Sequence, residues 1–176
     1  MKRLLVFPLL ALAVCAQDIK IPVNVENLAA KAVGTVDITL DASMLQLAGG
    51  FLSDKKPDEA EARRLISGLK GIYVRSFEFA KPGEYSPADV EAVRTQLRAP
   101  LWSRIVGVRG RRDGENAEVF LKKENDRVTG LAVIAADPKS LTIVNIVGNI
   151  NPEDLSRLGG QFGIPRLESE RKEDKK

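Results

Sequence analysis

The sequence predicts an α+β domain, an antiparallel β-sheet of four to six strands with three or four helices packed mainly on one face. Its C-terminal half carries four strand-like segments whose short connections allow only antiparallel neighbours. Capped segments with helical spacing of apolar residues precede this four-stranded meander. One or two earlier strands complete the predicted sheet.

The first elements are a strand, two helices and a second strand. Alternation over residues 36–40 predicts a half-buried strand, and Asp41 can cap a short helix that runs to Leu52. A second helix follows Pro57, with an apolar face of Ala62, Leu65, Ile66 and Leu69. The β-branched and aromatic residues of 72–79 predict the next strand.

The third helix has the clearest start signal in the chain. Ser86 is placed to cap it, Pro87 suits its first position, and Asp89 completes a capping-box pattern. The apolar stripe of Val90, Val93 and Leu97 indicates a helix packed on one side, and Pro100 marks its end.

The predicted meander occupies most of the remaining chain. Its strands are Trp102–Arg109, Ala117–Lys123, Val128–Ala136 and Leu141–Gly148. They are separated by turn-forming pairs at 113–114, 125–126 and 137–138. A helix capped by Asn151 and stopped by Gly163 and Pro165 is predicted to close the domain. The last two strands are apolar on both alternating faces, so we expect them to be covered on both sides.

The N-terminus has the layout of a secretory signal peptide. Two basic residues precede an apolar run that is too short to span a bilayer, and the run ends in small residues before Gln17. We expect cleavage after Ala16, with release to the periplasm or the medium. A bacterial lipoprotein is the alternative, because residues 12–15 resemble the box that precedes a lipidated cysteine. In that case Cys15 would anchor the protein to the envelope, although Val14 departs from the box.

These patterns divide the chain into a signal peptide over residues 1–16, a lead-in over 17–32, one domain over 33–165 and a charged, disordered tail over 166–176. Removal of the signal leaves 25 basic and 24 acidic residues, a net charge of +1. The basic character of the whole chain therefore belongs largely to the signal. This balance, together with export, argues against a nucleic-acid partner.

Composition also bears on chemistry. The chain has no histidine and a single cysteine, Cys15, so the commonest residues of nucleophilic, metal-dependent and neutral-pH acid–base catalysis are missing from the mature protein. We predict a non-catalytic protein with no cofactor and no metal. A carboxylate-based or serine–lysine enzyme stays open as the alternative, since neither needs histidine.

Two groups of residues are candidates for an interaction surface. The first is an arginine cluster that lies near Trp102 and suits an anionic lipid, a glycan or an acidic partner: Arg104, Arg109, Arg111 and Arg112. A solvated hairpin end is the favoured explanation of this cluster, because Asp113 and Glu115 lie among the arginines at the turn. The second is the apolar sheet surface represented by Val133 and Val144, where an unburied face would favour association.

Four segments carry a family resemblance: residues 65–79, 100–122, 128–148 and 159–165. Together they are similar to the exported bacterial family catalogued as domain of unknown function 4252. The resemblance covers most of residues 33–165. It implies export and one compact domain, and it implies no activity and no site residues.

The sequence therefore predicts an exported, non-catalytic binding or assembly module of the cell envelope that acts through its sheet surface or edge. Its partner is an unknown protein or a second copy of the chain. A membrane is expected as a partner only if Cys15 is lipidated, in which case a lipid-anchored sensor is a further alternative.

Overall fold

The four C-terminal strands form the predicted meander. A computed structural model describes residues 19–110 and 114–151. The strands are β3 (Trp102–Arg109), β4 (Asn116–Glu124), β5 (Arg127–Asp137) and β6 (Ser140–Gly148), each antiparallel to its neighbour. Asn125 and Asp126, with φ of 49° and 61°, form the two-residue turn between β4 and β5. Such left-handed residues match the twist of a tight hairpin.

Two earlier strands extend the sheet beyond β6. They are β1 (Gly34–Asp41) and β2 (Leu69–Glu78), and β2 pairs with both β1 and β6. The result is one six-stranded antiparallel sheet in the order β1-β2-β6-β5-β4-β3. The predicted α+β class and the meander with earlier strands are confirmed. Consecutive strands β2 and β3 lie far apart in this order, so the chain crosses the sheet between them.

The crossing segment contains α4 (Pro87–Arg94), which begins at the predicted capping box of Ser86 and Asp89. The hydroxyl of Ser86 donates to Asp89 Oδ2 at 2.8 Å, and the same carboxylate oxygen accepts from the backbone N–H of Ser86 at 2.8 Å. Val90 and Val93 of α4 are buried against the sheet. The crossover therefore supplies the cover for one face.

Two further helices connect β1 to β2. They are α2 (Ala42–Gly50), capped by Asp41 as predicted, and α3 (Pro57–Ser67). The cap is a hydrogen bond of 2.9 Å from the backbone N–H of Met44 to Asp41 Oδ1. The placement of Leu69 on the apolar face of the second helix was wrong. α3 ends at Ser67, and Leu69 opens β2, where its backbone pairs with Gly148.

The predicted lead-in contributes to the core. It contains α1 (Val23–Glu26) and a 3₁₀ helix (Asn27–Ala30), and its Ile19, Val25 and Leu28 are buried with residues of the sheet. Their burial ties this segment to the domain that was expected to begin at residue 33. The closing helix predicted after Asn151 lies outside the described residues, as do the signal peptide and the tail.

Apolar side chains are buried on both faces of the central strands. One cluster joins α1, the 3₁₀ helix and α4 to sheet residues such as Phe77, Ile134 and Ile143. A second cluster lies on the opposite face and includes Val119, Val133 and Val144. The expectation that the last two strands are covered on both sides is therefore confirmed, since Val133 and Ile134 are 1% and 2% exposed although they point to opposite faces.

Candidate interaction surfaces

The β1 edge of the sheet is regular and open. Among the strands that the structure describes, β1 pairs only with β2, in one register without a bulge from Gly34 to Asp41. On one face of β1, Val36 and Ile38 are 49% and 40% exposed. On the other face Asp37 forms an ion pair with Arg75 of β2. An edge strand leaves alternate backbone N–H and C=O groups unpaired, so this strand can accept another strand.

An exposed apolar stripe follows β1 directly. Met44 and Leu47 lie on α2 and Phe51 follows its last turn, a spacing that places all three on one side of a helix. They are largely exposed, Phe51 by 81%, whereas Leu45 is buried and Gly49 faces Ile66 of α3. Six of the ten exposed large apolar side chains in the described residues lie between Val33 and Phe51. This concentration makes β1 and α2 a candidate contact surface.

The β3 edge has a different local structure. Its pairing with β4 is interrupted by a register shift between Arg104 and Val106, which leaves Ile105 as an extra, exposed residue. Bulges of this kind bend an edge strand and disturb the regular spacing that a new strand would need. Arg104 and Arg109 add positive charge to the same strand.

Glu118 of β4 supports this edge through two arginines. Its side chain is only 9% exposed and accepts from Arg104 Nη1 at 2.7 Å and from Arg94 Nε at 2.7 Å. Burial disfavours the charged carboxylate, but the hydrogen bonds from Arg104 and Arg94 outweigh it and hold the pKa of Glu118 below its ordinary value. The three side chains therefore form a charged network that joins α4, β3 and β4.

An open cleft of about 620 Å³ lies between α4 and the end of the β3–β4 hairpin. Its lining includes Tyr85, Arg94, Arg104, Arg109 and Asn116. Two of these three arginines already pair with Glu118, so a large part of the cleft's positive charge is compensated. Tyr85 is held at its rim, because its hydroxyl donates to the carbonyl of Asp137 and its ring stacks on Phe79 at 5.4 Å.

The structure separates the residues of the predicted interaction surface. Arg104 and Arg109 line the cleft, while Arg111 and Arg112 lie outside the described residues. Val133 and Val144 are 1% and 6% exposed within the second apolar cluster. The low exposure of these two valines makes them core positions and not an accessible sheet surface.

A serine–lysine enzyme would need a free serine hydroxyl, but four serines of the described residues have structural partners. Ser43 donates to Asp41, Ser67 to the carbonyl of Arg64 and Ser86 to Asp89, while Ser76 and Thr142 share a hydrogen bond of 2.7 Å.

Within residues 19–110 and 114–151, no group of three or more acidic or cysteine side chains is placed to hold a metal ion. In the same ranges, none of the helices has both the length and the apolar character of a bilayer span.

Comparison with known families identifies the chain. The family model described as Domain of unknown function (DUF4252) matches residues 30–158, which is more than half of the sequence. The chain belongs to the DUF4252 family. The resemblance inferred from the sequence is therefore confirmed. Searches of curated proteins and of solved structures found no match to this DUF4252 protein.

Sequence reasoning missed two features of these surfaces. It noted the alternation of β1 but did not recognise that β1 forms an edge, and it gave Glu118 no role. A signal for Glu118 is present, since a lone carboxylate stands in the otherwise apolar run 117–121. A charge at such a position is expected to have a basic partner.

Proposed function

We propose that this DUF4252 protein is an exported, non-catalytic binding or assembly module of the bacterial cell envelope that acts through its β1 edge. The observation that carries the proposal is the regular, unbulged β1 strand with exposed Val36 and Ile38 beside it. An extended strand can add to such an edge by backbone hydrogen bonds, while apolar side chains on alternate positions provide contact area.

The neighbouring residues support this choice of surface. Phe51 and Leu47 extend the exposed apolar area beyond β1, and contiguous exposed apolar area of this kind is typical of contact surfaces. The sheet faces are less suitable, because the central valines are buried. The β3 edge is also less suitable, because its bulge and its arginines oppose strand addition.

Export and the absence of catalysis remain parts of the proposal. The tripartite N-terminus supports export. The lack of histidine and the structural hydrogen bonds of Ser43, Ser67, Ser76 and Ser86 support a non-catalytic role.

Site-specific photo-cross-linking in the native cell tests the proposal. A photoreactive amino acid replaces Ile38 in one strain and, as a matched control, Ile105 on the other edge in a second strain. We expect a discrete cross-linked polypeptide from position 38 in the envelope or exported fraction, and none from position 105. Cross-linking from 105 alone, or from neither position, contradicts the proposed edge.

Mass spectrometry of the same protein reads its N-terminus. A chain that begins at Gln17 supports export with cleavage after Ala16. A lipidated Cys15 supports the lipid-anchored alternative, in which the edge is presented at a membrane surface. A chain that keeps Met1 in the cytoplasm contradicts export.

A further inference from the structure

We propose that the occupant of the β1 edge is β1 of a second copy of this chain, paired antiparallel about a two-fold axis at Ile38. This inference rests on the proposed function, because it assumes that β1 is the binding edge. A two-fold pairing uses the same strand on both protomers and closes after two copies. Pairing of β1 with β3 of another copy would instead generate a ring of several subunits or an open-ended chain.

The residues of β1 select the register. The strand carries Asp37, with Asp41 at its end, and has no basic residue. An axis at residue 37 would place Asp37 opposite itself, and an axis at 39 would place Asp37 opposite Asp41 twice. Like charges directly opposite each other destabilise a strand pair.

An axis at Ile38 avoids both conflicts. It places Asp37 opposite Thr39 and Thr35 opposite Asp41, so each carboxylate lies across from a hydroxyl that can donate a hydrogen bond. Seven residues of each β1 strand, from 35 to 41, then have partners. Axes at residues 36 and 40 also separate the aspartates, but they pair fewer strand residues.

The same register also places the apolar residues of β1 opposite one another. Ile38 packs against its own copy and Val36 lies opposite Leu40, which buries part of the exposed apolar surface of β1. These residues share a face with Val74, Val144, Val133 and Val119 through the successive strand pairs. The apolar face therefore continues across the two-fold axis, and the two sheets join into one of twelve strands.

The flanking residues fit a second copy as well. Continued beyond the strand, the register places Val33 of one chain next to the start of α2 of the other. Val33 and Met44 are both exposed in the single chain, by 67% and 52%. A dimer of this geometry therefore brings Val33 and Met44 close to the interface that Val36 and Ile38 form.

Oligomeric state tests the proposal first. Light scattering and sedimentation of the purified exported protein are expected to show a dimer that dissociates on dilution. Ile38→Lys places two ammonium groups at the axis and is expected to raise the dimer dissociation constant about ten- to hundredfold. The matched control is Ile105→Lys, since Ile105 has similar exposure on the β3 edge, 47% against 40%. It is expected to leave the dimer unchanged.

Disulfide trapping tests the register and does not depend on the lysine variant. In a Cys15→Ser chain, Ile38→Cys brings two thiols together at the axis, where the Cα atoms of paired residues lie about 4.5–5.5 Å apart, within disulfide range. Asp37→Cys is the control, because its copies are diagonal neighbours at about 7–8 Å. We expect rapid oxidation to a covalent dimer from position 38 and not from position 37.

The outcomes separate this inference from the proposed function. A monomer at all concentrations, a dimer that Ile38→Lys leaves intact, or trapping from position 37 instead of 38 overturns the inference. If the photo-cross-link from position 38 nevertheless joins a different protein, the binding edge stands and only the second copy fails. If position 38 gives no cross-link at all, both the second copy and the proposed binding edge are contradicted.

Discussion

β3 and β1 are both edge strands of the same sheet, but they differ in regularity, charge and support. β3 has a bulge at Ile105, carries arginines and is tied to α4 through Glu118. β1 has a continuous register and one ion pair, Asp37–Arg75, whose carboxylate is 63% exposed. Bulges and basic residues are devices that prevent unwanted strand pairing. The comparison shows that only one of the two edges is protected.

A regular apolar edge is an aggregation hazard for a free monomer. Asp37 and Asp41, on the second face of β1, limit this hazard without preventing a specific pairing. Acidic residues at fixed positions exclude registers, whereas the bulge of β3 excludes strand addition in general. The two edges therefore use different means to control association.

The largest expected effect is on the free energy of unfolding, and it distinguishes a lysine placed at the centre of the sheet from one placed at the β1 edge. Val133→Lys or Val144→Lys places an unpaired charge among buried apolar residues and is expected to cost more than about 4 kcal/mol in unfolding free energy. Ile38→Lys is expected to cost about 1 kcal/mol or less in the monomer, because its side chain reaches water. Urea unfolding at a concentration that keeps the protein monomeric measures both. Similar losses at the two positions would mean that β1 is not an open edge.

A smaller loss of unfolding free energy is expected when the ion pairs at the two edges are removed, and its size should differ between the edges. Glu118→Gln leaves Arg94 and Arg104 without their shared charge and is expected to cost about 1–3 kcal/mol, reduced from the value of a fully buried pair because both arginines reach water. Asp37→Asn removes an exposed pair and is expected to cost about 0–1 kcal/mol. Denaturant unfolding at pH 7 measures the difference. Equal losses of unfolding free energy from the two substitutions would contradict the conclusion that the Glu118 network stabilises β3 more than the Asp37–Arg75 pair stabilises β1.

The pH dependence of stability tests whether the charge of Glu118 causes the loss expected for Glu118→Gln. Because the folded-state pKa of Glu118 lies below the ordinary value of 4.5 for this side chain, its ionisation stabilises the fold above about that pH, and the contribution is lost as the pH falls through the folded-state pKa. The stability difference between the native protein and Glu118→Gln should therefore be constant near neutrality and shrink below about pH 4.5. A difference that persists to pH 2 would assign the loss to packing.

Local signals explain why so much of the fold could be predicted. The capping box at Ser86, the Asp41 cap and the turn at 125–126 act through neighbours within a few residues, and each was readable from the sequence. Strand order depends on contacts between distant residues. The pairing of β2 with β6, which makes β1 an edge, joins Val74 to Val144 and has no local signature.

The candidate surfaces were harder to predict for the same reason. Arg104 was assigned to a binding cluster, but it pairs with Glu118, 14 residues away, and Arg94 reaches the same carboxylate from 24 residues away. Val133 and Val144 have the apolar pattern of a face that must be covered. The pattern alone does not say whether the cover comes from the same chain or from a partner.

The smallest expected effect tests the arginines of the protected edge. Arg109 ends β3 at the lip of the cleft and is exposed, so Arg109→Ala should change the unfolding free energy by no more than about 0.5 kcal/mol. This change should not alter the dimer measured by light scattering, because the proposed interface lies at the opposite edge of the sheet. If Arg109→Ala abolished association, the contact would have to include β3, and the bulge and arginines would then form a recognition surface instead of a barrier.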